Sequence, residues 1–107
     1  VDDGLAARLM AAADAGFTVA KIKLATRPAA TEWPLLCAQL DRAPRGLALR
    51  FDVNGAWDEA SAMHWLPQLA RWPTECVEDA LPDADPQALA RLQTACPFPL
   101  ALDATVA

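Results

Sequence analysis

One pattern constrains this chain more than any other. Four short strand-like runs, Val19–Leu24, Leu47–Asp52, Glu75–Glu78 and Pro99–Asp103, are each preceded by a stretch with apolar residues at helical spacing. The order is α-β-α-β-α-β-α-β. A chain of this kind buries its strands by covering them with helices, and right-handed crossovers then make the strands parallel. The residues at the strand ends, Lys23, Asp52, Glu78 and Asp103, are 29, 26 and 25 residues apart. That interval is close to one βα unit of a (β/α)8 barrel.

Local signals fix the elements. Asp2 or Asp3 can cap a helix over Asp2–Ala15, and Gly16 suits its end. Trp33, Leu36, Cys37 and Leu40 define a helix over Thr31–Ala43, with Pro34 admissible only in its first turn. Asp58 can cap a third helix carrying Ala62, Trp65, Leu66 and Leu69, which Pro67 should kink or split. Asp85-Pro86 is a cap followed by proline at the first helical position, with Leu89 and Leu92 facing inward. Trp33, Trp65 and Trp72 are expected to pack helices onto the sheet. His64, between Met63 and Trp65, reads as a packed or partly exposed side chain.

Composition narrows the function classes. At 107 residues the chain can build one core. Its net charge of −5 disfavours a nucleic-acid partner, which needs a basic face. With 54% hydrophobic residues it is not a disordered chain. No apolar run approaches the roughly 20 residues that cross a bilayer, so no membrane partner is expected. The opening VDDGLAARLM lacks the basic region of a signal peptide. Cys37, Cys76 and Cys96 are widely spaced and form no CxxC pair, which fits reduced, small buried side chains in the cytoplasm. Nothing resembles a glycine-rich phosphate loop or a nucleophilic serine elbow.

Alternate side chains of a strand point to opposite faces. One face then carries Ile22, Leu24, Leu49, Phe51, Val77, Leu100 and Leu102, suited to packing under the helices. The other carries Lys21, Lys23, Ala48, Arg50, Asp52, Cys76, Glu78, Ala101 and Asp103. Every strand thus brings a charged residue to its C-terminal end on one face, the edge where parallel α/β folds build sites. Carboxylates gathered there repel one another unless a cation joins them. Hard oxygen ligands from three strands suit Mg²⁺, with Mn²⁺ possible. Arg50 shares the face of Asp52 and is expected to form an ion pair there. Asp79 falls on the opposite face to Glu78 and is not counted as a ligand.

The motifs at these positions resemble a known family. Lys21-Ile22-Lys23 is similar to the KxK motif on the second barrel strand of the muconate-lactonizing subgroup of the enolase superfamily. Arg50-Phe51-Asp52-Val53-Asn54-Gly55-Ala56-Trp57, Val77-Glu78-Asp79 and Ala101-Leu102-Asp103-Ala104-Thr105 resemble the segments that follow, in order and nearly from end to end. The resemblance implies strands two to five of a partial (β/α)8 TIM barrel. The later strands and the capping domain would be supplied by the rest of a parent chain, since four strands cannot close an eight-stranded barrel. It implies Asp52, Glu78 and Asp103 as metal ligands and Lys23 as the acid/base. Lys21 would lie below Lys23 and help to lower its pKa, with Asn54 and Trp57 near the substrate.

The implied chemistry is removal of a proton α to a carboxylate, with a small-molecule carboxylate as substrate. LRFDVNGAW and KIKLA are most similar to the o-succinylbenzoate synthases of menaquinone biosynthesis, Mg-dependent lyases that dehydrate a cyclohexadiene carboxylate. Dipeptide epimerases, N-acylamino acid racemases and muconate cycloisomerases share the motifs. Ala104, where the family has Glu, keeps open a barrel relative without the chemistry.

Overall fold

A computed structural model describes residues 1–82 and 85–101. Helix α1 (Leu5–Asp14) leads into β1 (Val19–Lys23), α2 (Ala29–Leu40) and β2 (Ala48–Asp52). Helix α3 (Glu59–Trp65), a 3₁₀ turn (Leu66–Arg71), β3 (Thr74–Glu78), α4 (Pro86–Thr94) and β4 (Leu100–Ala101) follow. All pairings are parallel and the strand order is β1-β2-β3-β4. A sequential order with connections of one hand leaves all helices on one face, as in a barrel wall. A doubly wound sheet would instead reverse its strand order at a switch point.

Along β1, β2 and β3 the two faces divide as the alternation predicts. Ile22, Leu24, Leu49, Phe51 and Val77 are buried under the helices with Leu36, Leu66, Leu69 and Leu92. Lys21, Lys23 and Arg50 on the other face are exposed. Burial of the apolar set removes several large side chains from water, each contributing about 1.5–3 kcal/mol. This is what holds the helices against the strands.

Several local expectations are corrected. Helix α1 starts at Leu5 with Gly4 as its cap residue; Asp2 instead accepts the Gly4 N–H at 2.9 Å, closing the preceding turn. Helix α2 begins two residues earlier than expected, because Pro28 with φ −54° already sets the chain for helix entry. Pro34 therefore stands inside the helix and removes a donor beyond the first turn. Helix α3 is capped by Asp58, which accepts the Ser61 N–H at 2.7 Å, and it gives way to 3₁₀ geometry at Leu66 beside Pro67. The tryptophans pack helix on helix rather than onto the sheet alone. The Trp33 ring lies 4.8 Å from Trp65 and 6.0 Å from Trp72. His64 is exposed and meets Trp65 edge-on at 4.4 Å.

Candidate active site

The register lines up the C-terminal ends of the strands. Lys23 is opposite Asp52, Asp52 opposite Glu78, and Glu78 opposite Ala101. Parallel strands lie about 4.8 Å apart, so Asp52 and Glu78 present like charges side by side. Ala101, not Asp103, completes this row. Asp103 stands two positions further along and lies outside the described residues.

Asp52 is 7% exposed. Its Oδ1 accepts the backbone N–H of Asn54 at 3.0 Å. Its Oδ2 is 3.5 Å from Lys21 Nζ, which also lies 3.0 Å from Glu78 Oε2. One ammonium thus bridges two carboxylates on neighbouring strands. The Glu78 hydrogen bond is the main reason that Lys21 is held above the ordinary lysine value of 10.5, with the nearby Asp52 charge adding to it. Lys21 pairs in register with Arg50, two residues below the Lys23–Asp52 row, so its side chain must reach upward to the carboxylates. Arg50 is occupied elsewhere, by Glu75. The β2–β3 register shifts between Leu49 and Arg50, leaving Glu75 as an extra residue that can meet Arg50 on the open face.

The turn after β2 is built to hold Asp52. Asn54 and Gly55 both have positive φ, 54° and 68°, and the Ala56 N–H closes the turn on the Val53 carbonyl at 3.2 Å. Asn and Gly are the residues that adopt such a turn most readily. Asn54 contributes its backbone N–H to Asp52, while the residue as a whole is exposed. Trp57 is buried in the core and lines a cavity of about 220 Å³ with Leu24, Arg27, Trp33 and Trp65; neither Asp52 nor Glu78 is among its walls.

One residue of this rim escaped the sequence reading. Glu32 is 5% exposed, and its carboxylate accepts the N–H groups of Ala25 at 2.8 Å and Thr26 at 3.2 Å, and the Thr26 hydroxyl at 3.3 Å. Ala25 has φ 60°, an unfavourable value for a residue with a Cβ, and the clamp holds it there. Glu32 thereby fixes the loop that leaves Lys23. A glutamate in a first helical turn gives no sequence signal for this.

Asp52 and Glu78 supply hard oxygen donors that already converge on one cation, and they fit a Mg²⁺ or Mn²⁺ ion as two of its ligands. Among the described residues no group of three or more His, Cys, Asp or Glu side chains is gathered that could hold a metal.

The fold and its rim define a class: a stretch of singly wound barrel wall with carboxylates and lysines at the C-terminal ends of its strands. Residues 4–107 match the enolase C-terminal domain-like family, and the chain belongs to that family. It is 37% identical over 94 residues to o-succinylbenzoate synthase of Thermosynechococcus vestitus (strain NIES-2133 / IAM M-273 / BP-1), covering 85% of this chain and 29% of that protein. It is 36% identical over 72 residues to chloromuconate cycloisomerase of Pseudomonas putida, covering 67% of this chain and 20% of that protein. The chain therefore spans less than a third of these relatives. Among solved structures, o-succinylbenzoate synthase from Thermosynechococcus elongatus BP-1, complexed with Mg in the active site, superposes with a TM-score of 0.78 at 34% identity, covering 94% of this chain and 32% of that one. The 2-chloromuconate cycloisomerase of Rhodococcus opacus 1CP superposes with a TM-score of 0.84 at 29% identity, covering 95% of this chain and 28% of that one. The homologues are lyases and isomerases of the enolase superfamily, and the fold is the α/β barrel segment expected.

Proposed function

We propose that this segment carries the metal-binding and proton-transfer residues of an o-succinylbenzoate synthase, acting with later barrel strands and a capping domain of the same parent chain. The observation that carries this reading is the strand-end row Lys23–Asp52–Glu78, with an amine in register beside two paired carboxylates. In support, two o-succinylbenzoate synthases match over 85% and 94% of the chain, whereas the chloromuconate cycloisomerases match over 67%.

In this reading Asp52, Glu78 and Asp103 would hold a Mg²⁺ ion. When bound, the ion offsets the negative charge that grows on the substrate carboxylate as the α-proton leaves. Lys23 Nζ accepts that proton. The pair of electrons left by the C–H bond forms the new double bond as hydroxide departs from the adjacent carbon, and Lys23 returns the proton to give water. Lys21 supplies a second positive charge beneath the amine. The Asn54 N–H keeps Asp52 oriented, and Trp57 braces the loop from behind. Cys37, Cys76 and Cys96 are free thiols, half-buried rather than buried as the sequence led one to expect. No helix among the described residues is long and apolar enough to cross a membrane.

Lys23→Ala in the native protein is expected to abolish both dehydration and exchange of the substrate α-proton with deuterated water. A variant that retains normal turnover overturns the assignment. A second reading, a muconate-type cycloisomerase, is favoured by the higher TM-score of 0.84. Turnover of a muconate, with none of the cyclohexadiene carboxylate, would select it.

A further inference from the structure

The two lysines of β1 share a face but not a situation. Lys21 Nζ lies 3.0 Å from Glu78 and 3.5 Å from Asp52. Among the described residues Lys23 makes no ion pair with either carboxylate, although it sits directly opposite Asp52. Arg50, the other cation on this face, is taken by Glu75. Lys21 is thus the one side chain among the described residues that neutralises the Asp52–Glu78 pair. Like charges directly opposite one another across strands are destabilising, and Asp52 is largely withdrawn from water. A counter-ion at this point is therefore a structural requirement of the sheet as well as a feature of the site.

We propose that Lys21 is a built-in competitor for the divalent cation, its ammonium drawing on the same Asp52 and Glu78 oxygens that would ligate the metal. The inference rests on the metal-site reading given above. It assigns Lys21 a role separate from proton transfer: it holds the carboxylates together without metal and weakens metal binding by an equal share. The side chain can yield its place. Its side chain is 51% exposed in this segment, and its four-carbon stem lets the ammonium turn away from the carboxylate oxygens while the backbone stays paired with β2. Asp52 cannot move in the same way, because the Asn54 N–H and the surrounding core hold it.

The test is a calorimetric titration of the native protein with Mn²⁺, in wild type, Lys21→Met and Lys21→Arg. Removing a competing charge at this distance should tighten Mn²⁺ binding in Lys21→Met by about tenfold or more. Lys21→Arg should bind close to wild type, and metal-free Lys21→Met should melt at a lower temperature. Unchanged or weaker binding in Lys21→Met, with wild type binding Mn²⁺ normally, overturns the competitor role and leaves the metal site standing. If wild type binds no Mn²⁺, both readings fall together. Should Lys21→Met not fold, amine labelling of the wild type, read by mass spectrometry, decides the matter. Lys21 is expected to become more reactive as Mn²⁺ is added, and labelling that does not change with metal overturns the proposal.

Discussion

At Gly55 the backbone, not a side chain, carries the burden of the site. Its φ is 68°, and a Cβ there would stand 2.9 Å from the Pro82 Cα and 3.2 Å from the Leu81 carbonyl oxygen. The neighbouring Asn54 N–H is the donor that orients Asp52. Gly55→Ala is therefore expected to cost about 1–3 kcal/mol in a denaturant melt. It should weaken divalent-ion binding in the same variant, because the turn that shifts is the one that holds a proposed ligand. A Gly55→Ala protein as stable as wild type would show that the Pro82 segment gives way freely. Asn-Gly is a pair that favours turns with positive φ. That its first N–H would serve Asp52 followed only once the turn and the strand end were placed together.

Among the elements, α3 gives the clearest local account. Asp58 accepts the Ser61 N–H, and that bond to the charged carboxylate is the first cause holding Asp58 below its ordinary value of 3.8. Folding thus favours the deprotonated form. The stabilisation is complete above pH 3.8 and is lost as the pH falls through the lower value of the folded state. Denaturant melts of wild type and Asp58→Ala should differ by a constant amount near neutrality, with wild type the more stable, and the gap should narrow in acid below about pH 4. A gap independent of pH in that range would show that the carboxylate charge is not what caps the helix. The cap and the split at Pro67 were legible because both act over three or four residues. The early start of α2 was not, because Pro34 suggested a first turn near itself whereas Pro28 set the true one.

On the scale of the whole molecule, two like charges on adjacent strands at one sheet edge make stability depend on what binds there. A ligand that binds only the folded state at a hundred times its Kd adds about 2.7 kcal/mol. Mg²⁺ at that excess should raise the melting temperature of the native protein, and Asp52→Asn should remove the increase. A wild-type melt that is insensitive to Mg²⁺ at any concentration would sink the proposed metal site. The open face of the sheet leaves Lys21, Lys23 and Arg50 exposed.

The sequence alone determined the order of elements and, for the first three strands, the side of the sheet that each residue faces and the charged strand ends. These follow from periods of two and 3.6 residues and from caps and turns that act within one helical turn. The tertiary structure decided which partners those charges take. Lys21 reaches past its own row to Glu78, two strands away, Glu75 meets Arg50 through a register shift, and Glu32 clamps the loop beyond Lys23. Trp57 turns to a cavity walled by Trp33 and Trp65. Most of these contacts join residues more than 20 positions apart in the chain. Pairing across strands depends on register and on competing partners, and neither is written in the local pattern.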